Sequence, residues 1–249
     1  MDTRKERNLL LIAAKIGAAK ETAKLKSKIV GVIFAIFLCL LAFALSPCDS
    51  YANEVGLELQ QQTAQAMKEQ DPKKLFEQVD IAADNRDFQA AINLLSEVIA
   101  INPNNSNAYN YRGYMYYELQ NYDQAIADYT KAIELDPDGR ALYYNNRGFA
   151  YNELKNYKQA IADFTKAIAL NPENAPAYYS RGNAYNKLKN YKQAIADFTK
   201  AIELDPNHSF AYNNRAVAHY ELKNYNKARK DAKKACEIGD CEAWNLLNP

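Results

Sequence analysis

The chain has 249 residues, a formal net charge of +1, and hydrophobic and charged fractions of 48% and 24%. This is ordinary globular composition, and it gives no overall pull toward nucleic acid or anionic lipid. Glycine is scarce at eight residues, which argues against a loop-rich β fold, while Ala, Leu, Lys, Glu and Gln, good helix formers, dominate.

In chain order, residues 1–28 form a basic stretch with eight Lys/Arg against three acids. Residues 29–45, IVGVIFAIFLCLLAFAL, carry no charge over 17 residues. As a helix they would rise about 25 Å, just short of a hydrocarbon core of about 30 Å. Such a segment reads as a secretory signal or a single-span membrane anchor, with its basic flank in the cytoplasm and the rest exported to the periplasm or cell envelope. Ser50 and Ala52 fit a cleavage site before Asn53, which favours a cleaved signal over a retained anchor. Lipidation at Cys48 is a weaker alternative, because Pro47 precedes it. Residues 46–71 hold this export site and a polar, Gln-rich spacer.

From Pro72 the chain repeats. Pro103, Pro137, Pro172 and Pro206 fall 34, 35 and 34 residues apart, and Gly113, Gly148, Gly182 and Ala216 keep step. This period is that of a helix–turn–helix unit. In the best-defined copy the pattern predicts helices over about 107–119 and 122–135, with a turn at 120–123. The units are expected at 72–105 (divergent), 106–139, 141–174, 175–208 and 209–239, followed by a capping helix at 240–249. Glycine inside a helix costs about 1 kcal/mol against alanine. Its recurrence suggests a close crossing where any side chain collides.

Gly113 with Ala125, Gly148 with Ala160 and Gly182 with Ala194, the tyrosines Tyr116, Tyr151 and Tyr185, the later Ala132, Ala167 and Ala201, and the closing prolines together resemble the tetratricopeptide repeat. The resemblance is strong over residues 106–239 and weaker in 72–105, where Val79 and Ala82 replace the glycine and the tyrosine. It implies an all-α fold, a right-handed α-solenoid of tandem helix–turn–helix repeats, with the first helix of each unit lining a concave face. The last unit departs from the pattern at Ala232, where the others have Tyr129, Phe164 and Phe198. After Gly239, Trp244 and Leu247 are suited to cover the exposed end of the stack.

Where the repeat usually has an apolar residue before the glycine, this chain has Arg112, Arg147, Arg181 and Arg215. Sixteen residues after each stands Asp128, Asp163, Asp197 or Asp231; the first unit has Gln78 and Leu94 and so lacks both. Joint presence or absence suggests four structural ion pairs rather than four arginines offered to an acidic ligand. Tyr122, Tyr157, Tyr191 and Tyr225 at the turns align with Phe88, so the ring rather than the hydroxyl is expected to be used there.

By the same resemblance, a peptide groove is lined by Asn110, Tyr114, Tyr117, Asn145, Phe149, Asn152, Tyr179, Asn183, Asn186, Asn213, Val217 and Tyr220. Asn146 and Asn214 stand at its edge. Spacings of three and four place these on one stripe. Amides both donate to and accept from a peptide backbone. Lys187 is the only cation on the stripe, so a basic clamp for C-terminal carboxylates is not evident. Lys223, Lys227, Arg229, Lys230, Lys233 and Lys234 read as a solvated helix face.

Of the four cysteines, only Cys236 and Cys241 would remain in a mature exported domain. An oxidising compartment permits either a disulfide between them or two separate thiols. His208 and His219 lack ligand spacing, so no metal and no cofactor are expected. Residues 72–249 balance 22 Lys/Arg against 22 Asp/Glu, which speaks against nucleic acid as a partner. No nucleophile–base–acid set is present, so an enzyme is not expected. The expectation is a scaffold that holds a protein or peptide segment in its groove, tethered to a membrane if the N-terminal segment is retained. The alternative is an envelope-assembly component that uses the ends or convex face.

Overall fold

The computed structural model describes residues 72–137 and 139–247. The readings made on residues 1–71, signal, anchor, lipid site and spacer, lie outside them. Among the described residues no helix is long and apolar enough to cross a membrane.

The described chain is helical from end to end. Five antiparallel pairs follow one another: α1 (Pro72–Asp84) with α2 (Phe88–Ile101), α3 (Ser106–Glu118) with α4 (Tyr122–Leu135), and α5 (Ala141–Glu153) with α6 (Tyr157–Leu170). Then come α7 (Ala175–Lys187) with α8 (Tyr191–Leu204), α9 (Ser209–Glu221) with α10 (Tyr225–Glu237), and the short α11 (Glu242–Leu247). Each helix packs on the next, and the first helices of the second to fifth units also touch their neighbours. That nearest-neighbour pattern makes a solenoid rather than a globular bundle.

The punctuation explains itself locally. The residue before each closing proline is Asn or Asp, and at three of them its side chain accepts the backbone N–H two residues on. Asn102 does so from Asn104 at 3.2 Å, Asn171 from Glu173 at 3.2 Å and Asp205 from Asn207 at 3.1 Å. Asn105 and Asn174 then cap the helices that follow, accepting from Ala108 at 3.1 Å and Ala177 at 3.2 Å. Within each unit the turn falls one or two residues earlier than the pattern suggests, because the chain reverses on a left-handed residue: Arg86, Gln120, Lys155, Lys189 or Lys223, at φ 58–61°. Left-handed backbone favours glycine or asparagine, so the exact place of the reversal was not legible from composition. Lys189→Gly is expected to stabilise the domain by about 0.5–1 kcal/mol in chemical denaturation.

The core is a column of small and aromatic side chains. Ala125, Tyr129 and Ala132 of α4, Ala160, Phe164 and Ala167 of α6, and Ala194, Phe198 and Ala201 of α8 are buried completely or nearly so. The recurrent glycine of the first helix is explained by the ring. A Cβ on Gly148 would lie 2.8 Å from Phe164 Cε1, and one on Gly182 only 2.7 Å from Phe198 Cε1. The collision is thus with the partner helix's aromatic side chain in particular. This accounts for the fifth unit, where glycine becomes Ala216 and the ring becomes Ala232: the two changes compensate each other. The turn tyrosines are half-buried rather than core, and Tyr225 is exposed. Tyr122 and Tyr225 pack edge-on against Tyr117 and Tyr220, at 5.4 and 5.3 Å between centroids.

The fifth unit also has His219 where the others have Tyr116, Tyr151 and Tyr185. It is buried, its Nδ1 has no partner, and Asp231 lies 3.9 Å from Nε2 but already serves Arg215. Burial lowers its pKa from the usual value, outweighing Asp231, while Arg215 and Lys227 lower it further. The folded state therefore binds this proton less readily than the unfolded chain. Stability is expected to fall as pH drops below about 6.5 and to level off once the folded imidazole also protonates. Melting curves between pH 8 and pH 5 should show that loss, and His219→Tyr should reduce it.

Candidate functional site

The four arginines are committed to structure. Each guanidinium grips its aspartate with two bonds. Nε donates to Oδ2 at 2.7 Å for Arg112–Asp128 and Arg147–Asp163, and at 2.8 Å for Arg181–Asp197 and Arg215–Asp231. Nη2 donates to Oδ1 at 2.7–2.8 Å in all four. The remaining Nη1 reaches back to a hydroxyl of the preceding unit: Ser96, Thr130, Thr165 and Thr199, at 2.9–3.0 Å. Ser96, Thr165 and Thr199 in turn donate hydrogen bonds to carbonyls one turn back at 2.7 Å. The hydrogen bond to aspartate raises the pKa of Arg112, Arg147 and Arg181 despite their burial.

Each arginine therefore ties three helices from two units. The hydroxyls were not singled out from sequence, although their signal was present: one Ser or Thr per unit at a fixed place, lost at Lys233, after which no further unit stands among the described residues. The first unit, which lacks Arg and Asp, has no described unit before it to grip. Rings of Tyr109, Tyr178 and Tyr212 flank the guanidiniums at 5.4–5.6 Å.

The stripe expected to line the groove divides on inspection. Tyr114, Val217 and Tyr220 are exposed; Tyr117, Asn146, Phe149, Asn152, Tyr179, Asn183, Asn186 and Asn214 are half-buried. Asn110, Asn145 and Asn213, by contrast, are buried at 5%, 8% and 6% exposure. The tilt between units lays the next first helix over this position. Asn110 Oδ1 accepts from Asn146 Nδ2 at 3.0 Å. Asn213 Oδ1 accepts the backbone N–H of Ala243 at 2.8 Å, capping α11 from another helix. The assignment of Asn110 and Asn213 to a ligand is therefore corrected: both amides are spent on joining units.

What remains accessible is a band of amides and phenols across α3, α5, α7 and α9. Asn214 Nδ2 donates to Asn183 Oδ1 at 2.8 Å and to Tyr179 Oη at 3.1 Å, which fixes that part of the surface. The Oδ1 atoms of Asn145, Asn152 and Asn186 are buried with no hydrogen-bond partner. Asn152 and Asn186 occupy equivalent places in consecutive units. Burial pushes the Tyr117 phenol up to about 12. Burial and the hydrogen bond with Glu118 raise Tyr114 as well. Both phenols stay neutral near pH 7. The band can donate and accept without carrying charge, while Glu118, Glu153, Lys187 and Glu221 stand beside it.

Cys236 and Cys241 form a disulfide that joins the end of α10 to the start of α11. Trp244 and Leu247 pack with the cluster of Ala216, Ala232 and Ala243. Lys223, Lys227, Arg229, Lys230, Lys233 and Lys234 are all exposed. Among the described residues no group of His, Cys, Asp or Glu has metal-holding geometry.

Residues 106–138, 141–174 and 175–208 match one tetratricopeptide-repeat family model, and residues 198–230 match a second. The DnaJ protein P58IPK homolog B of Oryza sativa subsp. japonica is 32% identical over 74 residues, which are 30% of this chain and 16% of that protein. A crystal structure of MamA protein is 28% identical, covers 67% of this chain and 91% of its own, and superposes with a TM-score of 0.63. The structure of YrrB, a TPR protein with an unusual peptide-binding site, has a TM-score of 0.63 over 72% of this chain and 93% of its own. At 19% identity, YrrB supports the fold alone.

Proposed function

Because residues 106–230 carry tetratricopeptide repeats, we propose that this solenoid is a non-enzymatic interaction module that holds an extended peptide or protein segment along its first-helix face. The observation that carries this reading is the band itself: the amides of Asn152 and Asn186 stand half-buried at equivalent places in consecutive units, with Tyr114 and Tyr220 exposed on the same face. Amide side chains pair with the N–H and C=O of an extended backbone, and the intervening tyrosines supply rigid, neutral contact area. YrrB has a peptide-binding site on a similar fold.

The test is capture of the partner from source-cell extract by wild type and by N152A/N186A. Binding is expected to fall at least about tenfold, the equivalent of one lost hydrogen bond at the upper end of the usual range, with helicity by circular dichroism unchanged. Undiminished capture would move the contact to the ends or convex face, the assembly role. The apolar run at 29–45 and the small residues Ser50 and Ala52 lead us to place this binding outside the cytoplasm. Mass spectrometry of the mature N-terminus from fractionated cells checks that placement; intact chain in the cytoplasmic fraction would reject it.

A further inference from the structure

The last unit departs from its three predecessors at positions that meet in space. In those units a buried ring, Tyr129, Phe164 or Phe198, fills the space over the glycine. Three residues before each ring stands Ile126, Ile161 or Ile195, and the first helix of the following unit packs against that side. In the fifth unit the ring is Ala232, the isoleucine is Arg229, and the six-residue α11 takes the place of a following helix. Beside these positions, between α9, α10 and α11, lies a solvent-accessible cavity of about 540 Å³. This size falls within the range of small-ligand sites.

Its walls are Val217 and Tyr220 from α9, Tyr225 from α10, and Leu246 and Leu247 from α11, with Arg229 at the rim. Val217, Tyr220 and Leu246 expose 41%, 47% and 72% of their surface, so large apolar groups meet water in one place. Arg229, unlike the four paired arginines, makes no hydrogen bond or ion pair among the described residues. Solubility at the end of a stack accounts for a polar residue at 229. It does not account for the open apolar cleft beside it.

We propose that this cavity binds an apolar group that carries a carboxylate. Arg229 pairs with the carboxylate, and Val217, Tyr220, Tyr225, Leu246 and Leu247 surround the apolar part. Two sources share that chemistry: the last residue of a peptide, or a free aryl acid. The cavity shares Val217 and Tyr220 with the end of the stripe but none of its amides, and amides that bind nothing leave the cavity its ligand.

Isothermal titration of the full chain with four probes tests it: 3-phenylpropanoate and its amide, and a pentapeptide ending in phenylalanine as free acid and as amide. At least one acid should bind about tenfold or more tighter than its amide, as a charge-assisted pair against a neutral one. The matched pair that shows the preference identifies the source. Arg229→Gln should bring the acid down to its amide, and Leu246→Asp should weaken both. Both side chains are exposed, so the fold is preserved; the single tryptophan, Trp244 in α11, reports on the cap by its emission. N152A/N186A should leave these affinities unchanged. Equal binding of acid and amide, a preference that survives Arg229→Gln, or no binding of any probe at millimolar concentration each overturns the proposal.

Discussion

Replacing Arg181 with alanine is expected to destabilise the solenoid by about 3–5 kcal/mol, read as a shift of the denaturant midpoint. The change strands the Asp197 carboxylate, whose side chain is 8% exposed, and it leaves the Thr165 hydroxyl without its donor. Replacing Arg181 and Asp197 together by leucine and methionine removes both charges at once. That double variant is expected to cost much less, because no buried charge is left alone. The comparison turns on burial: an exposed pair is worth about 0–1 kcal/mol, and both variants would then melt alike. A second signature follows from the third contact. Thr165→Val should weaken the joint between the third and fourth units while leaving the bidentate pair in place, at about 0.5–1.5 kcal/mol.

The glycine and the ring opposite it should show a coupling whose sign depends on the background. In wild type, Gly182→Ala puts a Cβ 2.7 Å from Phe198 Cε1, and overpacking of about 1–3 kcal/mol is expected to exceed the propensity gain of about 1 kcal/mol. With Phe198→Ala already present, itself costing about 3–5 kcal/mol, the same substitution should stabilise, because the obstacle is gone and alanine is the better helix former. The fifth unit has this combination natively, as Ala216 and Ala232. A double-mutant cycle by chemical denaturation measures it. A Gly182→Ala effect of the same sign and size in both backgrounds would show that the helix crossing, not the ring, excludes the side chain.

Much of this molecule was legible before any coordinate. The prolines at intervals of 34 and 35 residues mark helix ends because proline cannot continue a helix and an Asn or Asp beside it closes the turn by its own side chain. The Arg–Asp partnership showed itself by being present or absent as a pair. These are local or one-unit relations, and a repeat writes them several times over. One departure in the last unit was read from sequence, Ala232 for a ring; Arg229 for isoleucine and Lys233 for threonine stand in the same register but were read only as part of a basic face. What they do together was not legible there.

The groove shows where reading along the chain stops. Asn145 and Asn152 lie seven residues apart on one helical stripe, and nothing in that spacing separates them. One is buried by its neighbour and the other stays half-exposed. The same holds for Asn213, which a helix 30 residues away converts from a groove residue into a cap.

The sequence by itself determined the helical pairs, their order and the partners within each unit, because periodicity, proline and side-chain chemistry act over one or two turns. The tertiary structure alone decided which polar side chains are spent between units, which remain open, and that a cavity lies at the end of the stack. Those outcomes depend on the tilt of one unit on the next. That tilt is set by how a ring, a glycine and an arginine from different helices pack together, and no single stretch of chain records it.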